Sequence, residues 1–152
     1  MTAGRVRRSL QRTATVVVVC AVSRPGAADD QSGVKYFPAA DVEASFGKGG
    51  TLIQTSAFRI MTAQRTGVGE AELHSLDRDI FHVLEGSASF VTGGTLVGSR
   101  ETGPGETRAT SIDGGVTQTL QAGDVITIPK GVPHWFKAVD GKVKYFVVKV
   151  RD

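Results

Sequence analysis

At 152 residues the chain is long enough to bury one core and too short for two full domains. Its formal charge of +3 suggests an anionic partner, but five arginines and no acid fall in the first 28 residues, leaving 13 basic against 15 acidic residues in the remainder. The basicity belongs to the leader, so nucleic acid is not an expected partner. Cys20 is the only cysteine, which excludes a disulfide framework and a thiolate metal site.

The leader has the order of an export signal. Arg5, Arg7, Arg8 and Arg12 precede an apolar run from Ala14 to Val22, followed by helix-breaking Pro25-Gly26, small Ala27-Ala28 and acidic Asp29-Asp30. A positive start, a short apolar stretch and a small-residue cut site form the secretory pattern. This predicts a signal peptide over residues 1–28, a disordered or cleaved leader, and a periplasmic or secreted protein. The run is too short to span a membrane, which takes roughly 20 residues, so no membrane partner is expected beyond the signal. The alternative is a buried N-terminal β-strand, since four consecutive valines have high β-propensity. The signal type stays open: Arg7-Arg8 has a twin-arginine flavour, and Cys20 would suit a lipoprotein except that bulky Val19 precedes it.

Residues 29–33 read as a polar linker, and 29–48 as linker plus a short N-terminal segment. A short helix is predicted over Ala39–Phe46, ended by the glycines at 47, 49 and 50. From there the pattern is strand after strand, punctuated by glycine. Expected strands are Thr51–Gln64, Ala71–Leu76, Asp79–Leu84, Ala88–Val91, Val116–Gln121, Val125–Ile128, His134–Ala138 and Val143–Val150. Many short strands with turn signals predict an all-β sandwich, barrel or jelly roll over residues 49–152. The stretch from Gly93 to Gly115 reads as a long connection with room for an embedded hairpin, either a functional lid or an insertion.

Only three histidines exist: His74, His82 and His134. Glu72 and His74 are two apart in an expected strand, so their side chains leave the same face. Asp79 begins the next strand, within reach of the same point across a hairpin. His134 follows the turn-forming Pro129-Lys130-Gly131-Val132-Pro133. Two imidazoles and two carboxylates suit a borderline or hard divalent ion such as Mn, Fe, Ni or Zn. On spacing alone this is weak, because single strand histidines and acid–histidine pairs are mostly structural. His82, three residues from Asp79, falls on the opposite face with Ile80 and Leu84 unless a bulge turns it. Alternation puts Phe136 on the face of His134 and Phe81 on that of Asp79. Both are expected to line a pocket, or else to be ordinary core.

The stretch from Gly123 to His134 (glycine, five residues, proline, one, glycine, two, histidine) resembles the second conserved motif of the cupins. Its final asparagine is missing, with Ala138 in that place. The first cupin motif runs histidine-x-histidine, three or four residues, glutamate, six residues, glycine. Counted back from Gly86, it puts Asp79 at the glutamate, His74 at the second histidine and Glu72 at the first. The resemblance covers roughly residues 50–150 and implies a small single-domain cupin: a double-stranded β-helix, or jelly-roll barrel, with a divalent metal ion held by Glu72, His74, Asp79 and His134. This set departs from the usual three histidines and one glutamate. Each extra carboxylate lowers the net charge of the centre and its strength as a Lewis acid. In this reading Gly86 and Gly123 adopt turn conformations closed to other residues.

Two functions remain at this level. One is a metal-dependent enzyme on a small polar or carboxylate-bearing substrate. The other is a non-catalytic, metal-free module that binds a small molecule or sugar. No separate general acid or base stands out, and catalytic residues are therefore not assigned. Arg59, Arg65 and Lys137 are candidate charge partners for a substrate, though nothing in the sequence puts them in the pocket. The resemblance also implies a homodimer, through paired sheet edges or exchanged N-terminal strands.

Overall fold

The computed structural model describes residues 33–151. The expected signal peptide, Cys20 and nearly all of the expected linker lie outside the described residues. Among the described residues the one helix, α1 (Ala39–Phe46), has the bounds the sequence predicts. Pro38 precedes it with φ −57°, already suited to a helix entry. Phe46 is its buried residue and meets Phe146 at 5.8 Å between ring centroids. Ser45 and Thr62 share a 2.7 Å hydroxyl contact, which also ties α1 to the sheet. Among the described residues no helix is long and apolar enough to cross a membrane.

Eleven strands follow in chain order. They are β1 (Thr51–Gln54), β2 (Phe58–Arg65), β3 (Ala71–His74), β4 (Asp77–Thr92), β5 (Thr95–Val97) and β6 (Arg100–Gly103). The rest are β7 (Glu106–Ala109), β8 (Ser111–Asp113), β9 (Val116–Gln121), β10 (Val125–Ile128) and β11 (His134–Arg151). The architecture is an all-β jelly-roll barrel, one of the forms the strand pattern allows and the one the family resemblance implies. β4 and β11 pair antiparallel over their whole lengths and take part in both layers. In one layer the order is β1-β2-β11-β4-β10, built on residues 143–150 of β11 and 78–85 of β4. In the other it is β6-β7-β3-β11-β4-β9, built on the opposite halves of the two long strands. A short β5–β8 ribbon stands apart.

Several expected boundaries shift, for local reasons. The strand expected over Thr51–Gln64 is two, because the Thr55 hydroxyl accepts the N–H groups of Ala57 and Phe58 and turns the chain there. The pair expected at Asp79–Leu84 and Ala88–Val91 is the single β4, and His134–Ala138 and Val143–Val150 are the single β11. Glycine bends these strands without ending them. Gly86 has φ +80°, and a Cβ built there would lie 1.8 Å from the Lys142 carbonyl oxygen. The two long strands thus cross from layer to layer at a point where only glycine fits. The 93–115 segment contains the embedded hairpin that the sequence allowed for: β6 pairs with β7, and β7 pairs with β3.

The core lies between the layers. Phe81, Val83, Phe90, Phe136, Tyr145 and Val147 are buried there. Phe136 stacks on Phe81 at 6.0 Å and meets Phe90 edge-on at 4.7 Å. Such aromatic contacts add about 0.5–1.5 kcal/mol each beyond their buried area. His82 is exposed, facing away from this core.

The bend supplies a test. Gly86→Ala should cost about 2–5 kcal/mol, combining the penalty for a positive φ with that for overpacking. Gly141→Ala, at φ +65° but with nothing within 4 Å of the new methyl, should cost only about 1–2 kcal/mol. Urea unfolding of the two variants measures the difference, and equal losses would refute the close approach at Gly86.

Candidate metal centre

The mouth of the barrel holds a cavity of about 440 Å³. Its charged walls come from five strands: Arg59 and Arg65 on β2, Glu72 on β3, Asp79 on β4, Glu106 and Arg108 on β7, and His134 and Lys149 on β11. Phe81 and Phe136 line it, as their alternation predicts, and their rings continue into the core below. The His134 ring sits over Phe81 and Phe90, 6.1 Å from each. Trp135 also lines the cavity, and its indole N–H donates to the Gly69 carbonyl at 2.7 Å.

Register explains how residues distant in sequence meet. His134 opposes Glu72 across β11 and β3, while Lys149 opposes Asp79 across β11 and β4. Glu72, His74 and His134 each offer a ligand atom to a group lying within 4.8 Å of one another. His74 Nε2 is 3.4 Å from Glu72 Oε2, and His134 Nε2 is 3.9 Å from the same oxygen. Asp79 Oδ2 borders this group, 3.4 Å from His74 Nε2 and 3.6 Å from His134 Nε2. Its two oxygens, however, accept hydrogen bonds from Lys149 Nζ at 2.8 and 3.1 Å. The sequence read Val143–Val150 as a plain structural strand, but Lys149 is a buried part of this site.

The orientation of both imidazoles follows from their neighbours. His134 Nδ1 lies 3.2 Å from the Val132 carbonyl, which can only accept, so Nδ1 carries the hydrogen and Nε2 the lone pair. His74 Nδ1 lies 2.7 Å from Glu106 Oε2, and the ring's Nε2 faces inward. Both Nε2 atoms are buried and make no hydrogen bond. Burial lowers the His134 pKa from its usual value, outweighing the attraction of Asp79 and Glu72, and keeps the ring neutral at neutral pH.

Burial would raise the Glu72 carboxyl, but contacts with His74 and Arg108 and the charge of Arg108 outweigh it. The carboxyl therefore sits well below the usual range and is ionised. Arg65 Nη2 donates to Glu72 Oε1 at 2.9 Å, and Arg108 forms an ion pair with Oε2. Arg65 Nε also donates to the Tyr145 hydroxyl oxygen at 2.8 Å. Burial pushes the Tyr145 phenol up, so it keeps its proton.

The residues present fit a divalent ion. Two buried imidazole nitrogens without hydrogen-bond partners and an ionised carboxylate face one small volume, and an unsatisfied buried polar group costs about 1–3 kcal/mol. A cation would relieve the two nitrogens, and the imidazole/carboxylate set suits Mn, Fe, Ni or Zn. Sequence reasoning missed Lys149, Glu106, Arg108 and Tyr145. Parity puts Lys149 on the face of Val143, Tyr145 and Val147, but its partner Asp79 is set only by the β11–β4 register. Glu106 and Arg108 carried no signal, since only the β7–β3 pairing delivers them. Of the three basic candidates, Arg59 and Arg65 line the cavity, whereas Lys137 is exposed and not among its walls.

A family model described as Cupin matches residues 40–152. Curated protein sequences contain no match to the chain. Among solved structures, protein NMB1881 from Neisseria meningitidis is 12% identical with a TM-score of 0.54, over 76% of this chain and 99% of that one. The cupin domain of Schizosaccharomyces pombe Cnp3 is 13% identical with a TM-score of 0.50, over 68% of this chain. The match spans 59% of the length of that Cnp3 chain. At these identities the likeness is one of fold.

The buried Asp79–Lys149 pair is testable by itself. Lys149→Met leaves a carboxylate buried and unpaired, and should lower stability at neutral pH by about 3–5 kcal/mol. Lys149→Met combined with Asp79→Leu should recover most of that loss. Denaturant unfolding of the single and double variants reads the coupling, and additive losses would show that the two charges do not depend on each other.

Proposed function

The chain belongs to the cupin family, and we propose that it is a small exported cupin that holds a divalent metal ion in its barrel mouth and uses it on a small polar or carboxylate-bearing substrate. The carrying observation is the convergence of two unpartnered, buried imidazole nitrogens beside the ionised Glu72 carboxylate. Glu72, His74 and His134 would hold the ion, with Asp79 at its edge. When bound, the ion supplies Lewis acidity toward a ligand oxygen.

The chain's own residues do the rest. Glu106 against His74 and the Val132 carbonyl against His134 fix both rings with Nε2 inward. Arg65 and Arg108 hold the Glu72 carboxylate in place. Phe81 and Phe136 keep water from the floor of the site. Tyr145, whose oxygen already accepts from Arg65, retains an O–H to give to a ligand in the cavity. Export rests on the arginine-led apolar segment over residues 1–28, and a homodimer on the family resemblance.

One observation favours the metal-free reading, a non-catalytic module for a small molecule or sugar. Arg65 and Arg108 already neutralise Glu72, and Lys149 neutralises Asp79, so the carboxylates need no ion to be stable. The two imidazole nitrogens are what this alternative leaves unexplained.

Elemental analysis of the purified mature protein, prepared both aerobically and anaerobically, separates the two. The metal centre predicts close to one equivalent of a transition metal per chain, falling to background in His134→Ala. Wild-type protein without metal under either preparation would leave the metal-free module.

A further inference from the structure

Four cations line the mouth cavity: Arg59, Arg65, Arg108 and Lys149. Three are engaged with acids of the same wall. Arg65 and Arg108 pair with Glu72, and Lys149 pairs with Asp79. The fourth acidic pair, Glu70 with Arg100, closes on itself in a two-pronged contact at 2.7 and 3.1 Å. Arg59 is the exception. Among the described residues its guanidinium makes no hydrogen bond and no ion pair, although its side chain is half-buried and faces the cavity.

The position of Arg59 is set by register. Lys149 opposes Arg59 on one side and Asp79 on the other, so the three occupy one row across β2, β11 and β4. Adjacent strands lie about 4.8 Å apart, which puts the Arg59 and Asp79 backbones about 10 Å from each other. Within the row two cations share one carboxylate, and the surplus positive charge sits at the Arg59 end. Arg59 also lines a second, polar cavity of about 340 Å³, which shares Glu106 and Lys149 with the first. There Arg151 is again taken, by Asp77 at 3.0 Å.

An uncompensated guanidinium at the junction of two cavities is a fork of donors without an acceptor, suited to a carboxylate. We propose that Arg59 is the specificity residue that anchors the carboxylate of a small organic acid, whose other polar end lies toward Glu72, His74 and His134. The proposal rests on the reading of the mouth as a ligand site and deepens it by naming the ligand's charge. It also sorts the three basic residues that the sequence singled out. Arg65 serves Glu72, Lys137 lies outside, and Arg59 is left for the ligand.

The test is equilibrium binding of adipate, a six-carbon dicarboxylate, beside its neutral diamide. Binding is followed by calorimetry and by fluorescence of Trp135, the only tryptophan, which lines the cavity. A charge-assisted hydrogen-bonded contact is worth about 1.5–3 kcal/mol, so Arg59→Gln should weaken adipate roughly ten- to a hundredfold. Arg59→Lys should restore part of the affinity and guards against a folding defect, while Lys137→Gln should match the wild type. The diamide should be indifferent to Arg59. No saturable adipate binding to the wild type, or equal affinities in wild type and Arg59→Gln, would overturn the proposal. Zinc stoichiometry of the wild type is read separately. Zinc without Arg59-dependent adipate binding removes the subsite and keeps the metal centre, whereas Arg59-dependent binding without zinc keeps the subsite and removes the metal.

Discussion

The register of β4 against β11 is the constraint from which the site follows. These two strands run the length of the barrel, bend together beside Gly86 and belong to both layers. Their pairing sets Lys149 opposite Asp79 at one end and carries His134 at the other, where it meets Glu72 of β3. A slip of one residue would turn Asp79, Phe81 and Val83 outward and bring His82 in, reversing every inward position of the strand. The aromatic core of Phe81, Phe90, Phe136 and Tyr145 holds that register, because its burial is lost in any other.

On this frame the mouth carries a dense but ordered set of charges. Each inner carboxylate has its own cation: Arg65 and Arg108 for Glu72, Lys149 for Asp79. Buried pairs of this kind contribute little net stability, but they are costly to break, and so they fix geometry. What they leave over is specific. Among the described residues both inward Nε2 atoms lack a hydrogen-bond partner, and the Arg59 guanidinium has no acceptor. The first imbalance would suit a cation and the second an anion.

Much of this was legible in the sequence. The spacing from Gly123 to His134 located the turn and the strand that deliver His134, and strict alternation put Phe81 and Phe136 on the cavity side and His82 outside. The i, i+2 relation of Glu72 and His74 was likewise enough to face both inward. Lys149 was not read, because a lysine in an apolar strand signals a buried pair only when its opposite residue is known, and Asp79 is 70 residues away. Glu106 and Arg108 were hidden for a similar reason. The glycine-rich segment that carries them looks irregular until β7 pairs with β3. Gly86 and the Gly141 region read as strand breaks because glycine marks turns and sheet-crossing bends alike.

The central claim is that His74 Nε2 and His134 Nε2 face a common cation. Anomalous diffraction at the cobalt edge, from crystals grown with cobalt(II), tests it most directly. The account predicts a single strong peak bonded to both Nε2 atoms and to the Glu72 carboxylate. Two imidazoles bridged by water or turned away from each other, with no anomalous peak between them, would contradict it.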